Sequence, residues 1–172
     1  MTWGRKDRRG LHPSIICAAA LAFAAGLPSR AQAGEVSVSF VKPEHYTDIG
    51  FGHATRQRNL KTLQDHLMKW GGRLPDATRL EIDVLDVDLA GIERPVGHEP
   101  WVRVLNGKVD GPRMTLRWAI REGATIVASG QEQLSDMAYA HRMPLGDRHQ
   151  ALYYDLRMID DWLRELSQGL TR

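Results

Sequence analysis

Thirteen residues constrain this chain more than any others: Arg79-Leu80-Glu81-Ile82-Asp83-Val84-Leu85-Asp86-Val87-Asp88-Leu89-Ala90-Gly91. They form its longest run of β-prone residues and its densest cluster of carboxylates. Side chains alternate across a strand with a period of two, so Leu80, Ile82 and Val84 share one face. Leu85, Val87 and Leu89 fall on the other. A regular strand that buries the first set carries Asp86 and Asp88 into the core; one that buries the second carries in Glu81 and Asp83. A buried, unpaired carboxylate costs several kcal/mol or must take up a proton. An extra residue near Val84-Leu85 resets the phase and lets all six apolar side chains face one way. The sequence therefore predicts a β-bulge there, strand termination at Ala90-Gly91, burial of Leu80, Ile82, Leu85, Val87 and Leu89, and solvent-facing Asp86 and Asp88.

The elements around this strand follow from periodicity and breakers. Val36, Val38 and Phe40 alternate with serines and stop at Pro43, which predicts a strand. A Gly-rich loop with His45, Tyr46, Asp48 and His53 follows; its spacing matches no closed metal pattern. Leu60, Leu63, Leu67 and Trp70 lie on one stripe of a 3.6-residue period, predicting a helix from a Thr55 N-cap to Trp70, stopped by Gly71-Gly72 and Pro75. Arg56 and Arg58 fall near its start, where a cation gains nothing from the helix dipole; they read as a solvated basic face or as contacts for an anionic partner. Ile92 to Pro100, punctuated by Pro95, Gly97 and Pro100, reads as a loop, and Trp101 to Leu105 as a short strand. Arg113 to Arg121 and Thr125 to Gln133 alternate and flank Glu122-Gly123, predicting an antiparallel hairpin with an arginine-rich outer face. Met137 to Arg148 reads as a long irregular loop. Leu152, Leu156, Ile159, Leu163 and Leu166 make an amphipathic helix, widened by Tyr153, Tyr154 and Trp162, with Asp155, Asp160, Asp161 and Glu165 on the remaining face. The predicted order is β-α-β-β-β-β-α: an α+β fold with an antiparallel or mixed sheet of four to five strands and two helices packed on one face.

Residues 1–33 read as a cleaved signal peptide, leaving 34–172 as a single α+β domain. Arg5, Lys6, Arg8 and Arg9 precede an Ala-rich apolar run too short to span a bilayer, and Ala31-Gln32-Ala33 offers a small-x-small cleavage pattern. Arg8-Arg9 leaves a twin-arginine export route open. Cys17 lacks the preceding small residue of a lipidated cysteine. Across the whole chain 23 Lys and Arg oppose 21 Asp and Glu. The leader holds five of the former and one of the latter, so the remainder has 18 against 20, a net of −2. A nucleic-acid footprint needs clustered excess base and is not expected. The single cysteine, Cys17, falls in the leader, which excludes disulfides and thiolate chemistry from the domain. The expected location is the periplasm, with no membrane anchor after cleavage.

Three segments resemble the bacterial domain-of-unknown-function family 3016: Val36-Ser37-Val38-Ser39-Phe40-Val41-Lys42-Pro43 with Tyr46-Thr47-Asp48; Asp86-Val87-Asp88-Leu89-Ala90-Gly91; and Leu152-Tyr153-Tyr154-Asp155 through Asp160-Asp161-Trp162. The resemblance spans about Glu35 to Leu166 and implies an exported protein of modest size. It implies no activity, cofactor or catalytic residue.

Candidate chemistry rests on the acidic strand. Asp86 and Asp88 project to one side with Cα atoms about 6.6 Å apart, and with Asp83 and Asp48 as helpers they could share a divalent cation, which for Ca²⁺ wants six to eight oxygens. The same pair could act as acid and base through a water. Against this, the charges could guard an exposed edge or pair across the sheet with Arg103, Arg113 or Arg117. No nucleophile elbow, phosphate loop or dinucleotide motif is present. The sequence favours a non-enzymatic cell-envelope binding or accessory protein acting on an unknown envelope protein or small ligand, with no required cofactor. The alternative is a divalent-metal-binding or carboxylate-based hydrolase centred on Asp86 and Asp88.

Overall fold

A computed structural model describes residues 34–96, 99–107, 109–142 and 150–170. The proposed leader, Gly97-His98 and the 143–149 part of the long loop, with Met143, Pro144, Gly146, Arg148 and His149, lie outside the described residues. The elements are β1 (Glu35–Phe40), α1 (His53–Met68), β2 (Thr78–Asp88), β3 (Ile92–Val96), β4 (Glu99–Val104), β5 (Arg113–Glu122), β6 (Thr125–Ser135) and α2 (Tyr153–Leu170), with 3-10 turns at Pro43–His45, Lys69–Arg73 and Tyr139–His141. The class is α+β, as expected. β1, β2, β5 and β6 form a mixed four-stranded sheet in that order, and β3 and β4 form a separate two-stranded sheet. β1 runs parallel to β2, which requires the crossover that α1 supplies. The β2–β5 and β5–β6 pairs are antiparallel. Among the described residues no helix is long and apolar enough to cross a membrane.

The bulge lies where the two phases of β2 conflict. Val84 pairs with Leu116 and Asp86 with Thr115, so Leu85 is the extra residue. Leu80, Ile82, Val84, Val87 and Leu89 are all buried. Glu81, Asp83, Asp86 and Asp88 stay partly exposed. Leu85 is also only half-buried, contrary to the expectation, because a bulged residue sits between the two faces instead of on either. The core unites these β2 residues with Leu116 and Ile120 of β5, Leu63 and Leu67 of α1, and Leu156, Ile159 and Leu163 of α2. Leu60, Leu152 and Leu166, at the margins of the predicted stripes, are partly buried against it. The two helices are tied together at Asp160, whose Oδ1 accepts from Trp70 Nε1 at 3.0 Å and lies 2.8 Å from His66 Nε2.

The opposite face of the sheet is polar and ion-paired. Arg79 meets Glu35 at 2.7 Å, Arg117 meets Asp83 at 2.7 Å, Arg121 meets Glu81 at 2.9 Å and Arg113 meets Asp88 at 3.3 Å. These pairs are largely solvated, so each contributes about 0–1 kcal/mol. Together they pair three of the four carboxylates of β2, Glu81, Asp83 and Asp88.

Three boundaries differ from expectation. The stretch read as a loop, Ile92 to Pro100, forms β3 and the start of β4. Pro95 falls at a register irregularity between Arg94 and Val96, where its missing N–H removes no ladder bond, as at other sheet edges and bulges. This raises the strand count to six. α1 begins at His53 behind a Gly52 cap with φ of 79°, two residues before Thr55; the glycine adopts a turn conformation that a side chain would resist. Met137 to Arg142 is partly ordered, with a 3-10 turn that buries Tyr139.

Candidate functional site

The three segments that carry the resemblance meet at the C-terminal end of β2. Tyr46 donates its hydroxyl to the Val84 carbonyl at 2.7 Å, beside the bulge. Thr47 donates from both N–H and hydroxyl to the Asp86 carboxylate, at 2.7 and 2.8 Å. Asp48 forms an isolated parallel bridge with Asp88: its N–H donates to the Val87 carbonyl and its carbonyl accepts from Leu89 N–H. From α2, Asp155 Oδ1 accepts from Ala90 N–H at 3.0 Å. The bulge thus turns Asp86 toward the Tyr46-Thr47-Asp48 loop and lets that loop extend the edge of β2.

Arg103 of β4 locks this junction. It donates to Asp48 from Nη1 at 2.9 Å and from Nη2 at 3.1 Å, a bidentate pair. Its Nη2 lies 3.4 Å from Glu93, and Nη1 also reaches the carbonyls of Leu89, Ala90 and Gly91 at 3.2–3.4 Å. The Arg103 and Glu93 side chains are 17% and 12% exposed. Burial alone would lower the Arg103 pKa; the bond and charge of Asp48, with the charges of Glu93 and Asp155, outweigh it and raise it instead. Gly91, with φ of +83°, fits the hairpin to this point, since a Cβ there would stand 2.6 Å from the Val104 carbonyl oxygen. Glu93 in turn accepts from Phe51 N–H at 2.6 Å, fixing the Gly50–Gly52 loop.

Two openings flank the lock. On one side is a groove of about 210 Å³ bordered by Tyr46, Asp48, Arg56, Glu93, Phe51 and Trp101. Phe51 and Trp101 stack with centroids 4.3 Å apart and planes inclined by 29°, yet remain 57% and 47% exposed. On the other side a smaller cavity of about 130 Å³ reaches Arg103, Ala90, Leu105, Tyr153 and Asp155. Asp155 is 3% exposed. Burial pushes its carboxyl up to about 7, against the lowering effects of the Ala90 N–H, its own N–H and Arg103.

The four predicted metal candidates are drawn toward separate partners. Asp83 faces Arg117, Asp86 holds Thr47, Asp88 meets Arg113 and Asp48 holds Arg103 and the Gly50 N–H. Burial raises the Asp88 pKa; Arg113 opposes this, while Asp48 and Asp86 reinforce it. Among the described residues no group of three or more His, Cys, Asp or Glu side chains is placed to hold a metal ion. His45 and His53 are both exposed. Of the cross-sheet pairings considered for Asp86 and Asp88, Arg113–Asp88 is present; Arg117 pairs with Asp83, and Arg103 with Asp48 and Glu93.

Sequence reasoning missed Arg103, Glu93 and Asp155 as members of one site. Asp155 was expected on the polar face of α2 and is buried. The signal was available: it lies three residues after Leu152 and four before Ile159, on the apolar stripe itself. Glu93 was hidden by reading its strand as a loop.

No curated protein and no solved structure shows a significant match to this chain. The profile described as "Protein of unknown function (DUF3016)" matches residues 34–165, and the chain belongs to that family.

Proposed function

We propose that the protein is an exported, periplasmic binding or accessory protein of the cell envelope, without enzymatic activity of its own, and that it engages its partner at the Phe51–Trp101 groove. Export is supported by the basic, apolar and small-x-small pattern of residues 1–33. The observation that carries the binding site is the stacked, half-exposed Phe51–Trp101 pair on a loop and hairpin held rigid by Glu93 and Arg103. Exposed aromatics on a fixed scaffold are favoured anchors for association, since they offer large contact area for little lost conformational freedom. Arg56, on the groove wall, has no acidic partner among the described residues and suits an anionic group of the partner. The fitting occupant is a small ligand or a segment of an envelope protein with a ring-sized apolar face and a carboxylate.

A second reading, a divalent-metal or carboxylate hydrolase centre at Asp86 and Asp88, has in its favour that Asp48 lies beside Asp88 and that the Asp88 carboxyl is raised. Both are tested together. Pull-down from envelope extract at low salt should retain a partner with the wild-type protein and lose it with Trp101→Ala or Arg56→Ala. Recovery of nothing, or equal recovery by all three, would overturn the groove assignment. A melting temperature raised by Ca²⁺, Mg²⁺ or Zn²⁺, with the rise lost in Asp86→Asn/Asp88→Asn, would favour the second reading.

A further inference from the structure

Between the last turns of α2 and the β5–β6 hairpin lies another cavity, of about 360 Å³, within the size range of small-molecule sites. Its walls combine two indoles, Trp118 and Trp162, with the apolar side chains of Ile120 and Leu166. Two small residues, Ala128 and Gly169, complete its lining. Its only charged lining groups among the described residues are Glu132 and Glu165.

Three observations specify what such a cavity would take. Glu132 occupies the inward phase of β6, between Ala128 and Leu134, where an apolar residue would suit the core better. Its Oε1 accepts from Trp118 Nε1 at 2.9 Å, a neutral donor that leaves the carboxylate charge uncompensated. The Trp118 ring is held by that bond and by Gly130 across the strand pair, where a Cβ would come within 3.1 Å of the indole. Its position is thus fixed before any ligand arrives. Trp162 is 5% exposed; its indole N–H has no acceptor among the described residues and is shielded from the open space, so the ring closes the cavity as an apolar wall.

We propose that this cavity binds a small organic cation, an amine or quaternary ammonium. The cationic head would lie on the Trp118 ring, whose π-face attracts positive charge, between the Glu132 and Glu165 carboxylates. This site lies on other elements than the Phe51–Trp101 groove and stands independently of the function proposed for it.

Choline is the probe, and its uncharged tert-butyl isostere the control. In ¹H–¹⁵N spectra of the protein, choline should shift the indole N–H signals of Trp118 and Trp162 saturably and leave those of Trp70 and Trp101 in place. The uncharged isostere should bind at least about tenfold more weakly, the loss expected from a missing cation–π and carboxylate attraction. Glu165→Gln, an exposed position that does not threaten folding, should weaken choline by about two- to fivefold. Absence of indole shifts at about 20 mM choline, an affinity weaker than any specific small site, would overturn the proposal. Equal binding of the isostere, or unchanged binding in Glu165→Gln, would overturn it as well.

Discussion

Replacing Arg103 by methionine should destabilise the protein by about 3–5 kcal/mol, the range for breaking one side of a buried, hydrogen-bonded ion pair. Methionine fills much of the volume of the aliphatic stem, so the loss is electrostatic more than steric. What remains behind is the cause: Asp48 and Glu93 keep their charges with side chains only 28% and 12% exposed, and the carbonyls of Leu89, Ala90 and Gly91 lose a shared donor. The ion pairs on the open face of the sheet offer a contrast. Arg117→Met removes a pair of similar length at a side chain 59% exposed and should cost no more than about 1 kcal/mol. Urea midpoints of the two variants measure the difference. Adding Glu93→Gln to Arg103→Met should recover part of the loss, because it removes one of the stranded charges. Equal midpoints for the two arginine variants would mean that the junction is no more rigid than the surface.

The second large effect is a pH dependence carried by Asp155. Its carboxyl rises from an ordinary value of 3.8 to about 7 in the folded protein, because it is almost wholly buried. A raised carboxyl pKa means that the native state holds a proton the unfolded chain releases. The stability it confers is fully present below about pH 4 and is lost as pH rises through about 7. Asp155→Asn keeps an oxygen for the Ala90 N–H and cannot ionise. Relative to this variant, the wild-type protein should lose on the order of 2–4 kcal/mol of unfolding free energy between pH 4 and pH 8. Parallel stability curves across that range would show that Arg103 and the two N–H groups offset the burial of the charge. Because Asp155 touches both the end of β2 and the base of the small cavity, the same proton sets how firmly α2 is held to the motif junction.

What the sequence disclosed, and what it concealed, follows from the range of the interactions involved. The bulge in β2 was legible because the conflict is local: two apolar phases and four carboxylates cannot be satisfied by one regular strand, whatever surrounds it. The α1 and α2 stripes were legible for the same reason. β3 was concealed by Pro95, whose effect depends on whether its position needs an N–H, and only the pairing partner decides that. The pairing of Arg103 with Asp48 spans 55 residues and exists because the β3–β4 hairpin folds back on the end of β2. No periodicity encodes it. Asp155 is the instructive case: its place on the apolar stripe of α2 was visible, but a charged residue there reads as polar until the Ala90 N–H that it serves is seen. The carboxylates of β2 that invited a metal site were correctly placed outside the core, but their partners are distant in sequence: Arg117 and Arg113 of β5 for Asp83 and Asp88, and Thr47 for Asp86.

The central claim is that the bulge at Leu85 places Asp86 opposite Thr115 and keeps the aspartates of β2 off the core. Since the only cysteine, Cys17, lies outside residues 34–172, engineered pairs in a protein of those residues report register without interference. In the observed register Asp86→Cys/Thr115→Cys brings two side chains together on the same face, within reach of a disulfide. In an unbulged continuation from the Val84–Leu116 pair, residue 85 would face 115. Air oxidation should therefore crosslink Asp86→Cys/Thr115→Cys and leave Leu85→Cys/Thr115→Cys reduced; the reverse result would contradict the bulge and the arrangement of the site built on it.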